Sequence, residues 1–294
     1  MDQVNHQTLH EFIQLALNED VGDGDHTSLS TIPADATGIA KILIKEKGIL
    51  AGMEVSLAIF KEVDPTLITT TFSKDGDEVH PGDVILTVAG NIRNILLAER
   101  LVLNIMQRMS GIATVTSQVV SMLKDTSTKV LDTRKTTPGL RFLEKEAVRI
   151  GGGVNHRFGL YDMILIKDNH VDFAGGIRKS LDAANRYRDT LAKDIEIEIE
   201  VRNLEELAEV LAHGGTDRIL LDNFEIDKLK TAVKLIDKRH VCEASGGITL
   251  HNALDYASTG VDFISMGALT HSVKSLDISL KSELASIPSK VSGK

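Results

Sequence analysis

From Lys129 onward the chain repeats one unit: a short aliphatic run, a charged or glycine-rich end, then a helical stretch. The aliphatic runs are KVLDT (129–133), MILIK (163–167), EIEIEV (196–201), RILLD (218–222), VCEAS (241–245) and DFISM (262–266). Helical patterns lie between them, such as GGIRKSLDAANRYRDTL (175–191) and LEELAEVLAHG (204–214). A strand that returns to the same sheet through a crossover helix must run parallel to its neighbour. Six such units, several spaced by about 21 to 23 residues, favour an α/β barrel. A doubly wound open sheet is the alternative, but no GxGxxG fingerprint follows a first strand.

The preceding residues follow a different grammar. Residues 6–18 (HQTLHEFIQLALN) carry apolar side chains at helical spacing, so a helix is expected. DVGDGDHTS (20–28) has the composition of a calcium loop but not its ligand spacing, and reads as a structured loop. Residues 37–92 form short β-like runs broken by Gly and Pro. Within them GDEVHPGDVILTVAG (76–90) reads as a structural hairpin, since a lipoyl-type carrier would need a lysine at the turn. Residues 94–124 are apolar and helical, with Gly111 an expected break. Arg100 and Arg108 interrupt this surface on nearly one helical face, eight residues apart. Surface arginines that snorkel are one reading of the pair.

Composition narrows the function. The net charge is −9, from 42 acidic and 33 basic residues, which argues against general nucleic-acid binding. No apolar stretch approaches the ~20 residues of a membrane helix. No basic start followed by an apolar run marks a secretory signal, and the lone Cys242 fits a reducing compartment. A cytoplasmic protein is expected. Against the acidic average, Arg134, Lys135, Arg141, Lys145, Arg149 and Arg157 crowd into one segment with only Glu144 and Glu146 opposing them. A solvated basic face would explain an arbitrary run of this kind.

Barrels place their chemistry at the carboxyl ends of the strands. Here those ends carry Arg134 and Lys135, Lys167 and Asp168, Glu200, Asp222, Ser245-Gly246-Gly247 and Gly267. In EIEIEV the period of two sends Ile195, Ile197, Ile199 and Val201 to the helices and Glu196, Glu198 and Glu200 to the interior. Buried carboxylates need cations. Arg134, Lys135 or Lys167 would supply them as structural partners, or a divalent cation or sugar diol would bind, above all at Glu200 nearest the rim. EASGGITLHNAL (243–254) and ISMGALTHS (264–272) bring two glycine turns before helices, a pattern that suits phosphate. Such a rim fits a phosphorylated sugar meeting a small polyanionic acid.

The segments that carry this chemistry resemble one family. LDTRKTTPGLRFLEKEAVRIGGGVNHRFGLYDMILIKDNH (131–170) is similar to the signature region of quinolinate phosphoribosyltransferases. So are EDVGDGDHTS (19–28), AERLVLNIMQRMSGIAT (98–114), IEIEVRNLEE (197–206), RILLDNF (218–224), EASGGIT (243–249) and ISMGALTHS (264–272). The resemblance covers essentially the whole chain in the same order. It implies an N-terminal open-faced α/β sandwich over residues 1–112 and an incomplete, seven-stranded α/β barrel over 113–273. The tail, 274–294, would pack on the first of these. It also implies Mg²⁺-dependent reaction of quinolinate with phosphoribosyl pyrophosphate, giving nicotinate mononucleotide, pyrophosphate and CO₂ in de novo NAD synthesis. By residue matching, Arg134, His156, Arg157 and Lys167 would line the quinolinate pocket. Lys135, Thr136, Glu200, Asp222, Ser245, Gly246, Gly247, Gly267 and Ala268 would line the phosphoribosyl pyrophosphate site, and His271 would contact phosphate. Catalytic roles fall to Lys135, Lys167, Glu200 and Asp222, the last two also as metal ligands. A homodimer would bring Arg100 into the neighbouring active site.

Three other readings compete. A Schiff-base aldolase would use Lys167 as nucleophile, but needs it in a neutral or apolar setting. A metabolite-binding subunit would hold a sugar phosphate without turnover. A nicotinate-specific or molybdenum-associated transferase would share the chemistry without releasing CO₂ from quinolinate.

Overall fold

The computed structural model describes residues 6–283. In chain order, α1 (His6–Val21) and α2 (His26–Thr31) precede β1 (Thr37–Ile44), β2 (Gly48–Ile49), α3 (Met53–Val63), β3 (Ile68–Thr71), β4 (Glu78–Val79), β5 (Val84–Asn91) and the long α4 (Ile92–Met122). Then follow β6 (Lys129–Leu131), α5 (Arg141–Ile150), β7 (Ile164–Ile166), α6 (Asp168–Ala174), α7 (Ile177–Arg188), β8 (Ile197–Val201), α8 (Leu204–His213), β9 (Arg218–Asp222), α9 (Ile226–Ile236), β10 (Val241–Ser245), α10 (Ala253–Ala257), β11 (Phe263–Ser265), α11 (Ala268–His271) and β12 (Ile278–Glu283). The protein is mixed α/β, with an antiparallel and a parallel sheet in two compact units. One comprises the chain through Thr114, Phe142–Gly151 and the chain from Val273; the other comprises Val115–Arg141 and Gly152–Ser272.

In the first unit the sheet order is β12-β1-β5-β3, all antiparallel. Along β1, Ala40, Ile42 and Ile44 are buried while Ile39, Lys41 and Leu43 are not, the alternation of a sheet covered on one face. Strand β12 returns to pair with β1; residues 284–294 of the tail lie outside the described residues. The expected hairpin at 76–90 is not one. Strand β4 pairs with β2 and β5 pairs with β1 and β3, so the two runs belong to different sheets. Pro81 in the connection has no N–H for a hairpin ladder. The expected loop at 20–28 includes the start of α2, whose first turn is capped by Asp25 accepting from the Ser28 N–H at 3.0 Å.

Helix α4 runs unbroken through Gly111. The glycine serves a close crossing instead of a break: a Cβ there would run into the Lys274 carbonyl oxygen. Near it, Ser110 accepts from the Ala51 N–H at 2.9 Å and Thr114 from the Ile49 N–H at 2.9 Å, so the helix satisfies backbone groups around β2. Arg108 is no snorkelling residue. It donates to Glu144 at 2.8 and 3.1 Å, and the Glu144 side chain is only 1% exposed. That pair, with buried Leu143, Ala147 and Val148, accounts for α5 belonging to the first unit although it follows a strand of the second.

The second unit holds six parallel strands in the order β6-β11-β10-β9-β8-β7. A further parallel bridge joins Leu131 to Val154 on the free side of β6. Strands β8, β9 and β10 carry Ile197, Ile199, Val201, Ile219, Leu221, Cys242 and Ala244, all buried, because helices cover one face of the sheet. Glu198 and Glu200 on the opposite face are buried too. Glu196, expected inside, is exposed, since β8 begins one residue later at Ile197.

Candidate active site

Side chains from successive strand ends surround one cavity of about 700 Å³ in the second unit. Arg134 and Lys135 follow β6; His156 and Arg157 follow the Val154 bridge; Lys167 follows β7. Asp222 and Asn223 end β9, Ser245, Gly246 and Gly247 end β10, and Gly267, Ala268 and His271 follow β11. Glu200 lies behind this wall, its carboxylate 2.8 Å from Lys167 Nζ.

Local bonds fix these ends. Arg141 donates to the Thr136 hydroxyl at 3.0 Å, the Phe158 carbonyl at 3.1 Å and the Arg134 carbonyl at 3.5 Å, tying together the two loops that carry the arginines. Thr136 takes part in this loop tie and is not among the residues lining the cavity. The Thr270 hydroxyl donates to the Lys135 carbonyl at 2.7 Å. Gly267, lacking a Cβ, leaves room for the Lys135 and His271 side chains to converge over it. Arg100 is exposed on α4, in the first unit, and does not line this cavity.

The charges on the rim interact. Burial and the neighbouring Arg134 charge push Arg157 below the usual guanidinium range, so two cations face one space. Burial and the charge of Glu200 push Asp222 above the usual carboxylate range, against a 2.7 Å hydrogen bond from Asn223. Two hard carboxylate donors on adjacent strands, one of them destabilised as an anion, fit a divalent cation that keeps water or phosphate among its ligands. The glycine turns differ from expectation in one respect. The helices after them have only five and four residues, so a helix dipole adds little. The turns themselves have Gly246 at φ +97° and Gly247 at φ +62°, backbone of the kind that can present loop amides to an anion.

A second polar layer lies under the rim. His156 Nε2 is 3.0 Å from Glu198 and 3.4 Å from Glu243, and Arg218 reaches both carboxylates at 3.8 and 3.6 Å. Sequence reasoning singled out neither Glu243 nor Arg218. The period of two in VCEAS puts Glu243 on the face of Ser245, which is the signal that would have found it. Asn223, Thr249 and Ser265 also line the cavity unannounced.

Comparison with known proteins agrees with this geometry. Models of the quinolinate phosphoribosyl transferase N-terminal and C-terminal domains match residues 25–110 and 112–281. The chain is 48% identical over 288 residues to decarboxylating quinolinate phosphoribosyltransferase 2, mitochondrial, of Nicotiana glauca, covering 93% of this chain and 82% of that protein. The crystal structure of NadC from Streptococcus pyogenes and the structure of the nicotinate-nucleotide pyrophosphorylase from Francisella tularensis superpose with TM-scores of 0.90. Both are 37% identical, with 95% and 96% of this chain and 97% and 98% of theirs covered. This chain belongs to the quinolinate phosphoribosyltransferase family.

Proposed function

We propose that this protein transfers the phosphoribosyl group of phosphoribosyl pyrophosphate to quinolinate with decarboxylation, giving nicotinate mononucleotide, pyrophosphate and CO₂ as a step in de novo NAD synthesis. One observation carries the reading: Arg134, Arg157, Lys167, Asp222 and the Gly246–Gly247 turn converge on a single cavity, with Glu200 bound to Lys167. A diacid needs fixed, paired donors, which adjacent arginines supply. Arg134 and Arg157 orient the two carboxylates of the pyridine ring so that its nitrogen faces the sugar carbon. Glu200 and Asp222 offer acceptors to ribose hydroxyls and negative charge to a sugar ring that turns cationic as pyrophosphate leaves. Lys135 and His271, converging over Gly267, receive the phosphate end. Glu200 and Asp222 would also hold Mg²⁺, which supplies charge neutralisation to the pyrophosphate. Once the ring nitrogen is quaternary, its positive charge stabilises the electron pair that departing CO₂ leaves on the adjacent ring carbon, and a proton taken up from water replaces the carboxylate there.

We read the six parallel strands and the Val154 bridge as an incomplete seven-stranded barrel, open between Val154 and β7, and residues 1–112 as its companion sandwich with the returning tail. Exposed Arg100 would serve the cavity of a second copy in a homodimer. The lone buried Cys242 suits a reducing compartment, and we infer a cytoplasmic setting. No helix among the described residues is long and apolar enough to cross a membrane. The Schiff-base reading is disfavoured by the ion pair that occupies Lys167.

Incubation with quinolinate, phosphoribosyl pyrophosphate and Mg²⁺ should yield nicotinate mononucleotide and CO₂; product without CO₂ release, or no product, overturns the reading. Arg134→Ala should raise KM for quinolinate by about ten- to a hundredfold, as expected for loss of one charge-assisted bond. KM for phosphoribosyl pyrophosphate should stay within a few-fold, and equal losses for both substrates would contradict the assignment.

A further inference from the structure

Two carboxylates lie in the lumen below a cavity built for anions. Glu198 on β8 is fully buried and Glu243 on β10 is 1% exposed. Their oxygens accept no hydrogen bond of regular geometry among the described residues, meeting His156 and Arg218 only as ion pairs. Arg218, at the start of β9, is placed opposite Glu198 by strand register and stacks over Phe263 with 5.0 Å to the ring centroid. Buried charges of this kind are costly unless something uses them.

What they meet is His156, a side chain of the cavity wall that is itself only 7% exposed. Both its ring nitrogens are engaged: Nδ1 accepts the Arg157 main-chain N–H at 2.7 Å, and Nε2 faces the two carboxylates. Its own main-chain N–H donates to Asp132 at 2.8 Å. The ring is thus held from below by Glu198 and Glu243, with Arg218 behind them, and at Nδ1 by the Arg157 amide, while Asp132 anchors the main chain that carries it. Arg157 is the next residue and its main-chain N–H is bonded to the ring, so a tilt of the imidazole is felt by the backbone that carries the guanidinium.

We propose that Glu243, backed by Arg218, is a positioning residue: with Glu198 it fixes the His156 ring from beneath and thereby sets the arrangement of His156 and Arg157 that receives the diacid. The inference rests on reading the cavity as the quinolinate site. Burial alone would lower the His156 pKa, but the close approach and negative charge of the Glu198 and Glu243 carboxylates outweigh it and raise the value to about 9. The Arg157 amide acts the other way. By donating to Nδ1 it favours the neutral Nε2–H form, and a second proton has to displace that bond. The Nε2 proton, beside the carboxylates, is common to both forms.

The test is Glu243→Gln, which keeps shape and removes charge. Titration of the His156 ring by NMR in the ligand-free enzyme should move towards the ordinary histidine midpoint by about one pH unit or more. KM for quinolinate should rise about tenfold, KM for phosphoribosyl pyrophosphate should stay within twofold, and Glu243→Asp should recover part of both effects. An unmoved His156 titration, or equal rises in both KM values, overturns the proposal. Should Glu243→Gln fail to fold, the pair Glu243→Gln with Arg218→Met removes one charge of each sign, and the same readouts decide. The ligand-free titration separates this inference from the functional reading: a shifted His156 in a protein that makes no nicotinate mononucleotide leaves the positioning intact and removes the substrate assignment.

Discussion

Replacing Gly246 by alanine is expected to lower kcat/KM roughly a thousandfold while the protein stays folded. Gly246 sits at φ +97°, where an L-residue is strained, at a cost of about 1–2 kcal/mol. Its Cβ would also collide with the Asn223 side chain and lie 2.9 Å from the Asn223 backbone nitrogen. Overpacking of that kind costs about 1–3 kcal/mol, and backbone cannot swing aside. Asn223 is itself committed. Its N–H donates to the Ser245 carbonyl at 2.9 Å, and its side chain donates to Asp222 at 2.7 Å. Displacing it therefore disturbs the Gly246–Gly247 turn and the Asp222 carboxylate together. Relief is available at the rim, where the loop can shift without unfolding the sheet, so the cost of about 4 kcal/mol falls on the site, equivalent to three decades in rate. Gly247→Ala is the control. At φ +62°, with nothing within 4 Å of the added methyl, it should lose only about tenfold from backbone strain. Steady-state kinetics with both substrates, alongside thermal melts, check the pair. A loss below tenfold for Gly246→Ala would refute the argument.

The same region shows how far the sequence could be read. Period-two alternation in EIEIEV was enough to send Glu198 and Glu200 inward, because the isoleucine face leaves no other choice. It could not fix where the strand starts, so Glu196 was assigned to the interior and is exposed. Nor could it name partners. Lys167 was among the expected cations and does pair with Glu200. Glu198, however, meets His156 and Arg218, because register between β8 and β9 sets Arg218 beside it. Register is a tertiary quantity that neither strand's own pattern contains. The strand-end charges were legible for the complementary reason: aliphatic runs stop where the parallel sheet meets the cavity, and ionisable residues begin there. Short-range signals also misled where a distant segment decided the outcome. The 76–90 run has hairpin chemistry, yet β4 and β5 take partners from β2 and from β1 and β3.

Gly111 is the sharpest such case, and its substitution by alanine should destabilise the protein by about 2–3 kcal/mol. The sign is the informative part. In an exposed helix interior, Gly→Ala normally stabilises by roughly 0.5–1 kcal/mol, because alanine loses less backbone entropy. Here the added Cβ would penetrate the Lys274 carbonyl oxygen and press on Val273 Cγ1 at 3.1 Å. The strap that passes over the helix cannot lift freely. The Leu276 N–H donates to the Gln107 carbonyl at 3.0 Å, and the Gln107 side chain returns a bond to the Ile278 carbonyl at 2.8 Å. Beyond them the Lys45 N–H donates to the Asp277 carbonyl at 2.9 Å, and β12 zips onto β1. Making room for one methyl therefore costs about 1–3 kcal/mol of overpacking plus one or two hydrogen bonds of about 1 kcal/mol each, set against the propensity gain. Urea denaturation should show the earlier midpoint, and amide exchange should quicken along β12 before it does along β8 to β10. A neutral or stabilised Gly111→Ala protein with unchanged exchange in β12 would mean that the strap yields without cost, and that the glycine answers to the helix alone.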